Sequence, residues 1–302
     1  MTPSPTILST ADVATLLNVN ESTVKRWTEK GILHCFKTPG GHRKYRQEDV
    51  ADFVDRYGFK TEGGMPSPST AAAQPSGVSP DYAILTKNYA TLASMLTEIL
   101  LRGNEEETFQ LLNLLRINRF TLVELYDRII AESLRQIGAL WVERTASIEQ
   151  EHIATNCMLG AIRRLQNVIP KKERTGLTAL CGCFEEEFHE TGITCVRNVL
   201  DAEGWTTVYL GANCPVESFI QAVGRYRPQL VCVSSTTPRT RLQFRRDCAL
   251  LHEASRQAGA KLVVGGSATL QGGKSRIDAE YVAATLGDLL RWISEHIHMS
   301  AA

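Results

Sequence analysis

The sequence predicts a multi-domain protein with an N-terminal winged helix-turn-helix, a four-helix bundle and a flavodoxin-like (Rossmann-like) α/β domain. A stretch at 61–80, rich in Pro, Ser, Gly and Ala, interrupts the chain and predicts a flexible linker. Apolar residues recur with a helical period at 81–172, and short β-rich runs alternate with helices at 173–302. We therefore place the N-terminal domain at 1–60, the linker at 61–80, the bundle at 81–172 and the α/β domain at 173–302.

Composition narrows the class of protein. The 302 residues include 33 Lys and Arg and 33 Asp and Glu, and this zero net charge excludes a wholly basic nucleic-acid coat protein. A hydrophobic content of 43% excludes general disorder. No apolar run approaches the ~20 residues of a membrane span, and the opening MTPSPTILST lacks the pattern of a signal peptide. We expect a cytoplasmic protein without a membrane partner, in which the eight cysteines are reduced.

Two short helices are predicted near the N-terminus. The first begins at Ser9 or Thr10, and the second covers Asn20–Trp27 and ends before Gly31, with a tight turn near Asn18. This spacing is that of a helix-turn-helix, in which the second helix usually enters the DNA major groove.

A basic hairpin is predicted next. The segment Lys37–Arg46 reads KTPGGHRKYR, where Pro-Gly-Gly can form the tip and basic side chains flank it without an acid. A third helix is expected at Glu48–Tyr57. The alternative is a small helical protein-interaction domain in which this basic turn is only solvated.

The segment from Ile7 to Tyr57, with its TPGGHRKY, resembles the DNA-binding domains of MerR-type and excisionase-type proteins. The resemblance implies a double-stranded DNA operator as partner. It places three residues in the major groove and four on a wing at the DNA backbone or minor groove. These are Thr23, Lys25 and Arg26 for the groove, and His42, Arg43, Lys44 and Tyr45 for the wing.

The bundle and the sheet follow from hydrophobic periodicity. Asn104 before three Glu residues, and Ser147 with Gln150, are helix N-cap signals that, with short joints, favour an antiparallel four-helix bundle. Beyond it, buried strands that do not alternate predict a parallel sheet with helices on both faces, in a flavodoxin-like order. The predicted strands read LTALCGC, TTVYLGA, QLVCVSS and KLVVGG, with a weaker one at Ala279–Val282, and the helices lie near Thr194–Ala202, Val216–Tyr226, Leu242–Gln257 and Leu286–Ile297.

The first strand is followed by a motif of the form E-x-H-x-x-G. A neutral imidazole at His189 suits a transition metal such as cobalt, and Glu187 can accept the other ring N–H and orient the ring. Gly192 lets the next helix begin close to a bulky ligand. Taken alone, this motif is weak evidence, because a surface histidine near carboxylates is more often only solvated.

Two further motifs end later strands. Ser234-Ser235-Thr236 and Gly265-Gly266 belong with E-x-H-x-x-G at the carboxyl ends of parallel strands, where open α/β sheets bind ligands. From Leu177 to Ile297 the three motifs resemble cobalamin-binding domains that hold the cofactor base-off. The family usually has Asp where this chain has Glu187. The resemblance makes His189 the lower axial cobalt ligand, and it implies a cobalamin site formed by Glu187, His189, Gly192, Ser234, Thr236, Gly265 and Gly266.

In the bundle, Trp141 precedes Glu151 and His152 in a W-x9-E-H pattern. This pattern resembles the CarH-like family of light-responsive, adenosylcobalamin-dependent MerR regulators. By that resemblance Trp141 covers the upper adenosyl group, and Glu151 and His152 hold it. Without the cobalamin motifs, these residues would be interpreted as a core tryptophan and a solvated first turn of a helix. Val142 stands where some members of the family have a histidine that can bind cobalt.

The sequence thus predicts a non-enzymatic transcriptional regulator, a repressor whose oligomerisation and operator binding depend on the upper ligand of adenosylcobalamin. The homo-oligomer is expected to be a dimer or a tetramer. One alternative is a corrinoid-dependent methyltransferase or mutase module, which leaves the basic hairpin unexplained and lacks a barrel-sized segment. Another is a cobalamin sensor that does not respond to light. The cysteines of the α/β domain, such as Cys181 and Cys183, are interpreted as core residues, with a metal site as the alternative.

Overall fold

A computed structural model describes residues 7–17, 19–29, 31–38, 40–50, 53, 80–236, 240–270 and 277–297. The predicted turn at Asn18, the hairpin residue Pro39, the linker at 61–79 and most of the predicted helix Glu48–Tyr57 lie outside these ranges. The chain divides into two compact units, Met1–Ser94 and Met95–Ala302, which are described separately.

The N-terminal unit is a helix-turn-helix joined to a three-stranded antiparallel sheet of order β1-β3-β2. Ser9 begins the first helix through a capping box, because its side chain accepts a hydrogen bond from the Asp12 N–H and the Asp12 carboxylate accepts one from the Ser9 N–H. Backbone at 47–50 and 53 is helical, within the predicted third helix. The elements are β1 (Ile7–Ser9), α1 (Thr10–Leu16), α2 (Glu21–Glu29), β2 (Phe36–Lys37) and β3 (Arg43–Arg46).

The four helices predicted for the bundle are present, preceded by a short helix at Pro80–Leu85 (α3). Asn104 and Ser147 are the N-caps that the sequence predicts, and Ser147 forms the expected capping box with Gln150. The bundle helices are α4 (Tyr89–Leu101), α5 (Glu105–Ile117), α6 (Ala131–Val142) and α7 (Ile148–Val168).

The segment Glu124–Ile130 is a π-helix that runs directly into α6. Periodicity predicts ordinary helix here, because apolar spacing does not reveal one extra residue per turn. Such wide turns are rare and are found mostly at functional sites. Its residues Tyr126 and Asp127 contact the α/β part of the same unit.

The C-terminal part is a parallel five-stranded sheet of order β5-β4-β6-β7-β8, which confirms the predicted flavodoxin-like order. Strand β8 begins two residues later than predicted, whereas strands β4 to β7 match their predicted ranges closely. The elements are β4 (Thr178–Phe184), α8 (Thr191–Ala202), β5 (Thr206–Cys214), α9 (Val216–Tyr226), β6 (Leu230–Ser234), α10 (Arg241–Gln257), β7 (Lys261–Gly265), α11 (Ser267–Leu270), β8 (Tyr281–Ala283) and α12 (Leu286–His296).

Most thiols of the α/β domain lie in the core, as predicted, whereas Cys214 is only half-buried. Cys181, Cys183 and Cys232 are buried in adjacent strands, and burial raises the pKa of the Cys183 thiol. Within the ranges given above, no three His, Cys, Asp or Glu side chains gather as metal ligands. Over the same ranges, no helix has the length and hydropathy to span a membrane.

Candidate cofactor site and nucleic-acid interface

A histidine and a carboxylate meet directly after β4. The ring Nδ1 of His189 lies 2.8 Å from Glu187 Oε1, and the same oxygen accepts the His189 backbone N–H at 3.0 Å. The Glu187 side chain is 2% exposed, whereas the His189 side chain is 46% exposed. The buried carboxylate therefore fixes the orientation of a ring that remains at the surface, which is the contact predicted for this pair.

The carboxylate is itself held by the end of β6. Glu187 Oε2 accepts the Thr236 backbone N–H at 2.6 Å and lies 3.5 Å from Ser235 Oγ. A buried carboxylate needs such donors to offset its loss of hydration. Ser235 was not predicted as a site residue, although it lies inside the motif that the sequence analysis identified.

The charge of Glu151 also affects the pKa of His189. The pKa of His189 is raised, first by its hydrogen bond to Glu187 and also by the charges of Glu187 and Glu151. Since Glu151 belongs to α7, the bundle contributes to the electrostatic environment of the loop after β4.

A cavity of about 230 Å³ lies at the carboxyl ends of β6, β7 and β8, between α8, α12 and the π-helix. Most of its lining is apolar. The predicted residues Gly192, Ser234, Thr236, Gly265 and Gly266 all contribute to its wall. A flat, apolar group such as the dimethylbenzimidazole base of cobalamin fits this lining.

Gly266 allows the chain after β7 to pass close to the residues that follow β6, and Gly265 lies close to the Ala283 carbonyl of β8. Gly266 has φ of +98°, and a Cβ there would overlap the Ser235 carbonyl. At Gly192 a Cβ would lie 3.1 Å from Ser234 Oγ. Close backbone approach and a positive φ therefore require glycine at Gly266, whereas at Gly192 and Gly265 a Cβ would make a tight contact.

Several residues that line the cavity were not predicted from the sequence. Tyr126, Asp127 and Ile130 line it from the π-helix. Asp127 Oδ1 and Oδ2 accept the backbone N–H groups of Leu286 and Gly287, each at 2.9 Å. No local pattern signals these contacts, because the partners are distant in the chain.

Trp141, Val142 and His152 have exposed side chains on α6 and α7. Glu151 Oε1 accepts a hydrogen bond from Thr155 Oγ1 at 3.0 Å, and Glu151 Oε2 lies 3.7 Å from His152 Nδ1. These positions suit residues at a surface that a ligand could cover. Their assignment to an adenosyl group stays a prediction.

In the N-terminal unit, most residues predicted to touch DNA are accessible. Lys25, Arg26 and His42 are exposed, whereas Thr23 and Lys44 are half-buried. The predicted hairpin is present, since Lys37 pairs with Arg43 and the Thr38 N–H donates to the His42 carbonyl at 3.0 Å.

The structure corrects the prediction for Tyr45 and refines that for Arg43. Tyr45 is fully buried, and its hydroxyl lies 2.9 Å from Thr28 Oγ1, so it is a core residue and not a DNA contact. Successive side chains of a strand point to opposite faces, which turns Tyr45 inward on β3. Arg43 pairs with Glu29 at 2.9 Å, so it already has an intramolecular partner.

Comparison with known families assigns each part of the molecule. Residues 177–287 match a B12 binding domain, residues 92–166 match a second B12 binding domain, and residues 7–57 match a helix-turn-helix domain. The chain joins an N-terminal helix-turn-helix domain to two B12-binding domains, and this arrangement is similar to that of CarH. The helical bundle and the α/β domain around His189 are thus its B12-binding modules.

Individual relatives share this arrangement in whole or in part. The chain is 25% identical over 269 residues to the HTH-type transcriptional repressor CarH of Myxococcus xanthus, covering 84% of this chain and 87% of that one. It is 22% identical to trimethylamine corrinoid protein 1 of Methanosarcina mazei, covering 56% of this chain and 79% of the relative. The solved monomethylamine corrinoid protein of Methanosarcina barkeri has a TM-score of 0.56 at 17% identity, covering 68% of this chain and 97% of that one, and shares the fold.

Proposed function

We propose that this protein is a cobalamin-dependent transcriptional repressor of the MerR type, with no catalytic activity of its own. The observation that carries the proposal is the Glu187–His189 pair beside an apolar cavity, in a chain that also bears a helix-turn-helix with exposed Lys25 and Arg26. Similarity to a repressor over most of both chains supports the same conclusion.

Different residues of the site would hold different parts of cobalamin. Because Glu187 lies on Nδ1 of His189, Nε2 is the nitrogen that would bind cobalt from below. The cavity at Gly265 and Gly266 would hold the nucleotide tail. Trp141, Glu151 and His152 would hold the adenosyl group of adenosylcobalamin, through a flat indole and hydrogen bonds to the ribose hydroxyls. When bound, the cofactor supplies a cobalt–carbon bond that light can break.

The switch acts through assembly. A single helix-turn-helix in a chain of zero net charge should hold an operator weakly at physiological salt. A dimer or tetramer would place several such units on neighbouring half-sites and raise their effective concentration. Contacts of Trp141, Glu151 and His152 to the adenosyl group would bias the equilibrium toward the oligomeric, DNA-bound state in the dark, and loss of these contacts would favour smaller species.

Titration of His189→Ala with adenosylcobalamin, followed by absorbance, tests the lower ligand. We expect a large loss of affinity and a changed spectrum, because the protein nitrogen on cobalt is removed. His252→Ala is the matched control, since His252 pairs with Glu280 near the other end of the sheet. Wild-type affinity with an unchanged spectrum in His189→Ala would reject His189 as the ligand.

Size-exclusion chromatography with light scattering, in the dark and after green light, tests the light response. The expected result is a dark oligomer that becomes smaller as photolysis proceeds. The side chain of Val142 has no atom that could bind cobalt, so this residue would not replace the adenosyl group after photolysis. An unchanged mass after confirmed photolysis would favour a cobalamin sensor that does not respond to light.

A corrinoid carrier for a methyltransferase is the second candidate. Similarity to two trimethylamine corrinoid proteins of Methanosarcina, over 56% and 58% of this chain, favours it. A carrier would bind cobalamin equally well but would show no cobalamin-dependent affinity for DNA. Gel shifts with and without adenosylcobalamin therefore separate the two functions.

A further inference from the structure

Glu190, the residue after His189, connects the loop that follows β4 to helix α7 and to strand β5. Glu190 Oε1 lies 2.8 Å from Arg163 Nη2 on α7, and Glu190 Oε2 accepts the Tyr209 hydroxyl at 3.0 Å from β5. The Glu190 side chain is 19% exposed, and that of Arg163 is 56% exposed. One carboxylate thus links the histidine loop, a bundle helix and the edge strand of the sheet.

Tyr209 is held in place to receive this carboxylate. Its hydroxyl lies 2.8 Å from Thr194 Oγ1, and the Arg197 guanidinium lies 4.9 Å above its ring. The pairing of β5 with β4 is irregular just beyond it, since Cys181 pairs with Tyr209 but Gly182 pairs with Gly211. Such a bulge leaves one residue unpaired and redirects nearby side chains.

The two carboxylates beside His189 therefore have different connections. Glu187 is tied to the residues after β6, whereas Glu190 is tied to β5 and to the bundle. Helix α7 carries Arg163 about 18 Å along its axis from Glu151, at the rise of an α-helix. A shift of helix α7 would move the loop that carries His189 through the contact between Arg163 and Glu190. The same shift would move Glu151, which is proposed to hold the adenosyl group.

We propose that Glu190 is a positioning residue that couples the lower ligand His189 to helix α7 through Arg163, with Tyr209 as its fixed support. The inference rests on the proposed cobalamin function. It adds that helix α7 couples the residues proposed to hold the adenosyl group to the histidine proposed to bind cobalt. Binding of the adenosyl group then affects the binding of cobalt by His189, and cobalt binding by His189 affects the position of helix α7 in the bundle.

The coupling is measured as the ratio of the affinities for adenosylcobalamin and hydroxocobalamin in the dark. In Arg163→Ala we expect this ratio to fall about two- to fivefold, the range of a partly exposed ion pair. Glu190→Ala should lower the ratio further and reduce the share of bound cobalamin whose spectrum shows protein nitrogen on cobalt. Glu190→Gln keeps an oxygen for Tyr209 and should lie between Glu190→Ala and wild type.

Arg164→Ala is the matched control. Arg164 is the next residue on α7, and it pairs with Glu106 inside the bundle at 2.8 Å. Its removal should leave the ratio at the wild-type value. Equal ratios in wild type, Arg163→Ala and Glu190→Ala would overturn the proposal, and so would equal falls in Arg163→Ala and Arg164→Ala, which would indicate a general effect on the bundle.

Hydrogen exchange in the cofactor-free protein separates this inference from the proposed function. Amide exchange at 188–191 should be faster in Arg163→Ala than in wild type and unchanged in Arg164→Ala. Unchanged exchange in both variants would overturn the coupling even if cobalamin binds. A wild-type protein that binds no corrinoid would instead reject the cobalamin function, and with it the role of His189 as a ligand.

Discussion

Asp127 and Leu286 lie 159 residues apart in the chain, and the Asp127 carboxylate accepts the Leu286 backbone N–H at 2.9 Å. Its second oxygen accepts the Gly287 N–H, so one side chain of the π-helix caps the first turn of α12. Both Asp127 and Leu286 line the cavity beneath the histidine loop. The approach is tight at Gly287, where a Cβ would lie 3.3 Å from Val123 Cγ1.

Asp127→Ala should open this end of the cavity. We expect a loss of about 1–2 kcal/mol in the free energy of unfolding, because two helix N–H groups lose a charged acceptor. Affinity for cobalamin should fall about tenfold, whereas affinity for cobinamide, which lacks the nucleotide tail, should change little. Denaturant unfolding and absorbance titrations measure the two effects.

Asp288→Ala is the control for this variant, because Asp288 lies in the same first turn but pairs with Arg291 on its own helix. Its binding of both corrinoids should match wild type. Parallel losses of cobalamin and cobinamide affinity in Asp127→Ala would show that the residue does not act on the tail.

Glu187→Ala should weaken cobalamin binding about 10- to 100-fold, the usual effect of removing the partner of a metal-binding histidine. Glu187→Gln preserves the shape of the side chain and should lose less. The measurement is isothermal titration or absorbance at fixed pH. Full affinity in Glu187→Ala would mean that the ring of His189 is oriented by other contacts.

Gly266→Ala should destabilise the protein far more than Gly259→Ala. Both glycines have positive φ, but a Cβ at Gly266 would overlap the Ser235 carbonyl, whereas a Cβ at Gly259 meets nothing within 4 Å. We expect about 1 kcal/mol for Gly259→Ala and about 3 kcal/mol or more for Gly266→Ala. Thermal unfolding compares them, and equal shifts in Tm would contradict the close approach of β6 and β7.

Arg26→Ala should weaken operator binding without changing stability, because Arg26 is exposed on α2. In Arg43→Ala, which would remove a contact of the wing with the DNA backbone, the salt dependence should fall by about one ion. Arg43→Ala should weaken binding and also lower stability slightly, since Arg43 pairs with Glu29. Gel shifts at several salt concentrations, with unfolding curves beside them, distinguish the two variants, and wild-type binding in Arg26→Ala would exclude α2 as the contact.

Much of the fold could be predicted from the sequence, because each element carries its own local pattern. Continuous apolar strands predicted the parallel sheet and its order, and the caps at Asn104 and Ser147 marked helix starts correctly. The motif around His189 could be found because metal chemistry and strand ends limit which residues serve there. The wing was found from its glycines and basic residues, but its pattern did not show that Tyr45 faces inward.

The sequence by itself determined the three folded parts, the sheet topology and the histidine with its carboxylate, because local periodicity and short motifs encode these features. Only the tertiary structure decided that the π-helix forms a wall of the cavity and that Asp127 caps α12. It also decided that Glu190 joins Arg163 and Tyr209. The physical reason is that these contacts form between side chains far apart in the chain, and their geometry depends on how whole elements pack.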